Sequence, residues 1–151
     1  GEGNYIRPNQ LFAIGLPYTC ISTEKGEVAL ETIRQHLVTE YGLRTLSPRN
    51  PKYQSEYKGG PEVRDMAYHQ GMVWPWTLGI YMDALLKYRD KETVREIIFE
   101  RFHKLWDKHM KMYGLLQISE LFRPNPSQVA KGCMAQAWSM AEVIRVLDTL
   151  K

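Results

Sequence analysis

The sequence predicts an all-α fold built from αα-hairpins, and two repeating features predict it. Polar, Gln-containing clusters at residues 7–10, 68–71 and 132–136 each open an apolar helical run. They lie roughly sixty residues apart, a period that suits stacked helical hairpins. The helices also alternate between apolar and amphipathic, as expected for an inner and an outer layer. This is the layout of a double-layered helical toroid with its polar clusters gathered at one end.

The first two helices follow from local features of the sequence. A helix is predicted over residues 8–16 because Pro8 is preorganised for the first helical position and Pro17 cannot continue the helix. Ser22 is a suitable N-cap for the second helix, whose apolar side would carry Val28, Ile33 and Leu37. Gly42 suits the left-handed conformation that ends such a helix.

The remaining elements are predicted in the same way. Residues 47–68, rich in Pro and Gly, form a long loop, and loops of this length are often functional. A third helix over residues 72–88 is apolar almost all round and should be buried on several sides. A fourth helix over residues 91–112 is charged and amphipathic, and Gly114 stops it. A short strand at 115–118 and a Pro-rich loop then lead to a largely apolar fifth helix over 134–150.

Composition and charge disfavour several classes of protein. The net charge of +3 is small, and Lys and Arg alternate with Asp and Glu, so we expect no nucleic-acid partner and no membrane partner. We find no signal peptide, which favours a cytoplasmic protein. Cys20 and Cys133 lie far apart, and two reduced, buried thiols explain them better than a disulfide does. The four histidines lack metal-ligand spacing, so no metal site is predicted.

The segment from His69 to Trp76 is dense in side chains that bind sugars. The indole rings of Trp74 and Trp76 can stack on the apolar face of a pyranose, while His69 and Gln70 can reach its hydroxyl groups. The competing interpretation is that the two tryptophans are core residues and that His69 and Gln70 cap a helix. We expect His69 and Gln70 to contact a ligand because the polar cluster recurs, whereas both interpretations stay open for the two tryptophans.

Glu120 lies between an apolar strand and an apolar pair of residues. A carboxylate in such surroundings tends to have a raised pKa or a fixed partner, and both are useful in proton transfer. The competing interpretation is an ion pair with Arg123 or Arg44.

The outer two clusters could add contacts to the same face. Arg7, Asn9 and Gln10 open the first helix, where capping alone would explain Asn9. Gln136 and Trp138 open the fifth helix, with Trp138 either a further stacking surface or a core residue. If equivalent hairpin ends lie side by side, these residues should converge near Glu120 together with the middle cluster.

The ordered set of these motifs resembles the glycogen debranching enzyme family. The matching segments are residues 7–10, 42–46, 59–61, 68–76, 119–120 and 132–142. The resemblance is to the C-terminal part, the amylo-α-1,6-glucosidase domain, which is similar to glucoamylases in having an (α/α)6 barrel. It covers nearly the whole chain. It implies that residues 1–151 form a single segment, the C-terminal portion of an (α/α)6 toroid.

The resemblance also implies a reaction and a site. Family members hydrolyse α-1,6-linked glucose at branch points of glycogen or dextrins with inversion, which needs a general acid and a general base. The base precedes the last inner helix of the barrel, which places it on Glu120. The general acid would lie upstream of Gly1, so this chain alone should be inactive. The implied substrate-binding residues are Arg7, Asn9, Gln10, Tyr68, His69, Gln70, Trp74, Trp76, Gln136 and Trp138. No cofactor is implied.

Two other functions remain open at this point. A related glucosidase or trehalase of the same barrel class would share the architecture. A helical carbohydrate-binding or scaffold module without catalysis would share the aromatic and polar clusters. Because a segment of a toroid leaves apolar helix flanks uncovered, we also expect a homodimer through the exposed barrel edges.

Overall fold

The computed structural model describes residues 5–113 and 115–151. Helices account for 48% of the structure, and a small four-stranded antiparallel sheet accompanies them. The helices are α1 (Gln10–Gly15), α2 (Thr23–His36), α3 (Pro61–Tyr68), α4 (Thr77–Leu85), α5 (Lys91–Leu105) and α6 (Ala137–Thr149). The strands are β1 (Leu43–Arg44), β2 (Val73–Trp74), β3 (Leu121–Phe122) and β4 (Ala130–Lys131). The fold is therefore mostly helical, and the sheet is a departure from the predicted all-α class.

Helix α4 lies at the centre of the main hydrophobic core. It contacts α1, α5 and α6, and α1 also contacts α2. Eight of its nine residues are buried, including Leu78, Tyr81 and Met82. This all-round burial is what the apolar sequence of the predicted third helix requires. Helices α1, α4 and α6 form a row, with α2 on α1 and α5 on α4. The toroid with inner and outer helices stays a prediction.

Several predicted boundaries were wrong. The predicted third helix does not begin at Met72, because residues 73–74 form β2 and α4 starts only at Thr77. The predicted loop over 47–68 contains α3, which starts at Pro61, a favoured residue at the first helical position. The strand predicted at 115–118 is absent from the described residues, and the strand lies at Leu121–Phe122 instead.

The ends of α2 and α5 also differ from the prediction. Ser22 caps α2 as predicted, accepting a hydrogen bond from the Lys25 amide. However, α2 ends at His36, and its buried face carries Leu30 rather than Val28, which is 69% exposed. Helix α5 ends at Leu105 and continues as a π-helical turn, Trp106–Met110. The predicted stop at Gly114 lies outside the described residues.

Helix α6 is only partly covered. Ser139 and Val146 are its buried residues, whereas Trp138, Ile144 and Leu147 are exposed. It lines an apolar groove of about 610 Å³ together with Phe99, Phe102 and Trp106 of α5 and the π-helical turn. Helix α6 is therefore buried on one face only, whereas an inner helix is expected to be covered on several sides.

The two cysteines are free, but both are exposed, so the prediction of buried thiols was wrong. Cys133 follows β4 at the surface, and Cys20 lies in the turn before α2. Among the described helices, none combines the length and the apolar character needed to cross a membrane.

The sheet is short but joins distant parts of the chain. Its order is β1-β2-β3-β4, with Leu43 opposite Trp74, Val73 opposite Phe122 and Leu121 opposite Lys131. Gly42, just before β1, has a φ of +155°, and a side chain there would overlap the Trp74 carbonyl. Gly42 therefore permits close approach of two strands rather than ending a helix.

Candidate functional site

The strand register places Glu120 opposite Gly132. Leu121 pairs with Lys131 in the antiparallel ladder, so the residues one step further out, Glu120 and Gly132, face each other at the end of the β3–β4 pair. The Glu120 amide donates a hydrogen bond of 2.8 Å to the Cys133 carbonyl oxygen and extends this pairing. Behind the strand, the Ser119 amide donates to His109 Nε2 at 3.2 Å. The backbone on both sides of Glu120 is thus fixed.

The Glu120 carboxylate is held by two neutral donors. The Tyr68 hydroxyl donates a hydrogen bond to Oε1, and the Cys133 backbone amide donates to Oε2 at 2.8 Å. Arg123 instead pairs with Glu56 at 2.8 Å, and an Arg44 Nη donates to the Pro124 carbonyl oxygen. The alternative that Glu120 is a loop carboxylate paired to one of these two arginines was therefore wrong.

Tyr68 is kept in its protonated form. Burial, the hydrogen bond to Glu120 and the charge of that carboxylate raise the pKa of the Tyr68 hydroxyl well above its ordinary value. Burial disfavours the phenolate, and a neighbouring carboxylate disfavours a second negative charge. Tyr68 is therefore a hydrogen-bond donor to Glu120 throughout the physiological pH range.

Gly132 leaves the space that the Glu120 carboxylate occupies. A Cβ at this position would overlap Glu120 Oε2 and would lie within 3.1 Å of Glu120 Cβ. Gly132 also has a φ of +70°, in the left-handed region that favours glycine. Both the space and the backbone conformation at this position require the absence of a side chain.

An aromatic cluster adjoins this carboxylate. The Tyr68 ring lies 4.8 Å from that of Trp74 between centroids, and the Trp138 ring lies 5.8 Å from Trp74 and 5.4 Å from Trp76. Trp74 is 2% exposed and donates through Nε1 to the Tyr68 carbonyl oxygen, so it is a core residue of the cluster. Trp138 is 48% exposed and presents an indole surface to solvent. Trp76 is half-buried between them and Phe12.

His69 lies in the same cluster. Its ring stacks on Trp74 with a centroid distance of 5.3 Å and an interplanar angle of 16°. Desolvation by this packing and the positive charge of Arg7 lower the pKa of His69, while Asp65 and Glu120 act in the opposite direction. His69 is therefore mainly neutral at pH 7 and offers one ring N–H and one acceptor nitrogen.

Arg7 connects the N-terminal segment to the middle cluster. Its Nη1 donates to the Thr45 and His69 carbonyl oxygens at 3.0 and 2.6 Å, and its Nη2 donates to Gln70 Oε1 at 2.9 Å. These bonds fix the turn that carries His69 and orient the Gln70 amide. The first and middle polar clusters are thus adjacent in space. However, the middle cluster ends α3 rather than opening a helix, which corrects that part of the repeat.

Three predicted binding residues show no such contacts. Asn9 and Gln10 are exposed at the start of α1, and in the described part of the chain neither side chain has a hydrogen-bond partner. Asn9 does not cap α1 through its side chain, so the capping interpretation is wrong. Gln136 is the N-cap of α6 without a side-chain cap bond, and its backbone N–H donates to the Ile118 carbonyl oxygen. One network of hydrogen bonds and ring contacts therefore includes Glu120, Tyr68, His69, Gln70, Arg7 and the three tryptophans.

The roles of Gly132 and the Cys133 amide do not follow from the linear sequence. Both lie in the polar cluster at residues 132–136, which by its sequence predicts only the start of a helix. Their contacts with Glu120 depend on the β3–β4 pairing, which the sequence did not reveal. Within the described residues, no group of three or more His, Cys, Asp and Glu side chains could hold a metal ion.

Known proteins with similar sequences identify the family of this chain. A family model described as amylo-alpha-1,6-glucosidase matches residues 2–145. The chain therefore belongs to the amylo-α-1,6-glucosidase family, which confirms the resemblance drawn from the sequence motifs. A glycogen debranching enzyme of Saccharomyces cerevisiae is 28% identical over 100 residues. That alignment covers 62% of this chain and only 6% of the yeast protein.

Proposed function

We propose that this chain forms the C-terminal part of the (α/α)6 catalytic domain of a glycogen-debranching α-1,6-glucosidase. The substrate is α-1,6-linked glucose at branch points of glycogen or dextrins, and hydrolysis inverts the anomeric carbon. Glu120 is the general base that removes a proton from the attacking water. The reaction uses no cofactor, and the protein acts in the cytoplasm.

The observation that carries this proposal is the environment of Glu120. Its carboxylate is half-buried beside aromatic rings and is bound by a hydroxyl and a backbone amide rather than by a cation. A structural carboxylate of this kind would normally be neutralised by Lys or Arg. A carboxylate with no ion-pair partner among the described residues is able to accept a proton from water.

Inversion requires a second carboxyl group to protonate the leaving oxygen. Glu62 and Asp65 of α3 are the nearest alternatives on the long segment before Tyr68, and both are exposed. An exposed side chain is not enclosed together with the scissile bond, as the general acid of a glycosidase is. We therefore propose that the general acid comes from a hairpin outside these 151 residues, and that this chain alone does not hydrolyse glycosidic bonds.

The experiment uses the chain and the longer enzyme that we propose contains it. Each is incubated with limit dextrin and with isomaltose, and free glucose is followed. We expect the longer enzyme to release glucose and the 151-residue chain to release none. Release of glucose by the purified chain at a comparable rate would contradict the assignment of the acid to another segment.

A second candidate is a non-catalytic carbohydrate-binding or scaffold module, and the exposed face of Trp138 beside Trp76 favours it. Such a pair of indoles can bind sugar rings without any carboxylate. A related glucosidase or trehalase would differ from the main proposal in its substrate. Glucose release from trehalose but not limit dextrin would favour the related enzyme, whereas binding without turnover in the longer protein would favour the module.

The homodimer expected from the sequence stays a prediction. It is supported by the apolar groove between α5 and α6, where Trp106 and Ile144 are exposed. Uncovered apolar surfaces of this kind favour self-association. Sedimentation of the purified chain should therefore give a concentration-dependent dimer, and a monomer at all concentrations would contradict it.

A further inference from the structure

We propose that Tyr68, the Cys133 amide and the backbone of Gly132 form a cradle that positions Glu120 for base catalysis. In this proposal Tyr68 is a positioning residue that acts through Glu120, rather than a residue that binds sugar. The inference rests on the proposed function, because it assigns roles within the same site.

The first support is the separation of the two donors on the carboxylate. Tyr68 binds Oε1 and Cys133 binds Oε2, so each oxygen has its own protein donor and the carboxylate plane cannot rotate freely. A carboxylate oxygen has further lone pairs, and one of them remains available to a water molecule.

The second support is the lack of a side chain at residue 132. A Cβ at Gly132 would overlap the Oε2 of Glu120 and would also press against Glu120 Cβ at 3.1 Å. Moving the carboxylate aside would break its hydrogen bonds to Tyr68 and the Cys133 amide, and the tight contact with Glu120 Cβ would remain. Only glycine allows the β4 end to approach closely enough for the Cys133 amide to reach Oε2.

The third support is the position of Tyr68 at the end of α3. Its hydroxyl is directed to Glu120, while its ring is enclosed by Tyr57, His69 and Trp74 at centroid distances of 6.0, 4.8 and 4.8 Å. The ring is thus held by packing on several sides, which locks its direction. A residue that binds ligand would instead present its hydroxyl to an open surface.

The first experiment needs no enzymatic activity. The 151-residue chain is prepared with ¹³C-labelled tyrosine rings, and the Tyr68→Phe variant identifies the Tyr68 resonance. We expect Tyr68 to titrate at higher pH than an ordinary tyrosine, and Glu120→Gln to move its titration to lower pH. Ordinary titration of Tyr68 that Glu120→Gln leaves unchanged would overturn the proposed contact.

The second experiment measures hydrolysis by the longer enzyme. Tyr68→Phe should lower kcat about tenfold to hundredfold with little change in KM, because a hydrogen bond to a charged group is lost. Tyr57→Phe is the matched control, since Tyr57 packs against Tyr68 without binding Glu120, and it should leave both quantities unchanged.

Gly132→Ala provides an independent variant. It should lower kcat at least as much as Tyr68→Phe, whereas Gly59→Ala should not. Gly59 also has a positive φ, of +95°, but a Cβ there would meet only Val63 at an ordinary 3.5 Å. A comparable loss in both glycine variants would assign the effect to backbone strain and overturn the cradle.

The outcomes distinguish the proposal that Glu120 is the base from the proposal that Tyr68 positions it. If Glu120→Gln retains near-normal activity while the Tyr68 titration still responds to it, the contact is present but the base assignment is wrong. If Glu120→Gln abolishes activity and Tyr68→Phe changes only KM, the base assignment stands and the positioning role is wrong.

Discussion

Two glutamates of this molecule lie against glycines but differ in what neutralises them. Glu120 lies over Gly132, and Glu142 lies over Gly79 of α4, so that a Cβ at either glycine would overlap the carboxylate. Glu142 binds Arg145 at 2.8 Å, and Arg145 also binds Asp83 at 2.9 Å. Among the described residues, the Glu120 carboxylate binds a hydroxyl and a backbone amide and no cation.

The difference separates a structural carboxylate from a reactive one. The hydrogen bonds to Glu142 and Asp83 raise the pKa of Arg145 further above its ordinary value, and the three charges join α4 to α6. A carboxylate bound to a permanent cation is a poor base, because protonating it would break the ion pair. Neutral donors orient Glu120 without this cost, so it remains able to take a proton.

The largest expected effect is on hydrolysis. Glu120→Gln in the longer enzyme should lower kcat by about 10²- to 10⁴-fold, the range that general-base catalysis contributes. Substrate binding should change little, since the base acts in the transition state. Glu142→Gln should change kcat less than about threefold, because its ion pair is partly exposed. Similar losses in the two variants would remove the distinction between the two glutamates.

Replacing the two glycines should have different effects on the stability of the protein. Gly132→Ala places a side chain at φ +70°, which costs about 1–2 kcal/mol, and it also displaces Glu120. Gly79→Ala lies within a helix, where alanine is favoured by about 1 kcal/mol, and Glu142 can move its flexible end towards solvent. Urea denaturation of the chain should therefore show a large loss for Gly132→Ala and a change near zero for Gly79→Ala. Equal losses of unfolding free energy would contradict this.

Trp138 and Trp106 provide a comparison for sugar binding. Both are exposed, but Trp138 adjoins Glu120's aromatic cluster, whereas Trp106 lines the apolar groove. Trp138→Ala should weaken the binding of isomalto-oligosaccharides about threefold to tenfold, as expected for the loss of one aromatic contact. Calorimetric titration should show no change for Trp106→Ala. A greater loss for Trp106→Ala would move the binding face to the groove.

The smallest expected effect concerns the strand behind Glu120. Burial lowers the pKa of His109, whose Nε2 accepts the Ser119 amide hydrogen. The unfolded chain therefore binds a proton at a higher pH than the folded chain, and stability is lost as pH falls below about 6.5. His109→Gln should reduce the difference in unfolding free energy between pH 7 and pH 5. An unchanged difference would exclude His109 as its source, and His69→Gln tests the other histidine with a lowered pKa.

The sequence allowed the local features of this fold to be predicted. Ser22 was identified as a cap because its hydroxyl can bind a nearby amide, and the burial of α4 followed from its apolar composition. The identification of Glu120 came from the order of the family motifs. Each of these depends on neighbouring residues or on a linear pattern.

The sheet and the cradle could not be predicted in this way. Each strand has two residues, too few to show an alternating pattern, and the pairing depends on tertiary packing. Tyr68 and Glu120 are 52 positions apart, so no local pattern connects them. Helix α3 was not predicted because Gly59-Gly60-Pro61 was interpreted as loop, although proline is well suited to begin a helix.

The role of Glu120 as the base of an inverting reaction can be tested most directly by chemical rescue. Glu120→Ala in the longer enzyme leaves space for azide, a nucleophile that needs no base. With α-glucosyl fluoride as substrate, azide should restore turnover and yield β-glucosyl azide, because attack occurs from the face opposite the leaving group. Failure of azide to restore turnover, or formation of α-glucosyl azide, would contradict the assignment of Glu120 as the general base.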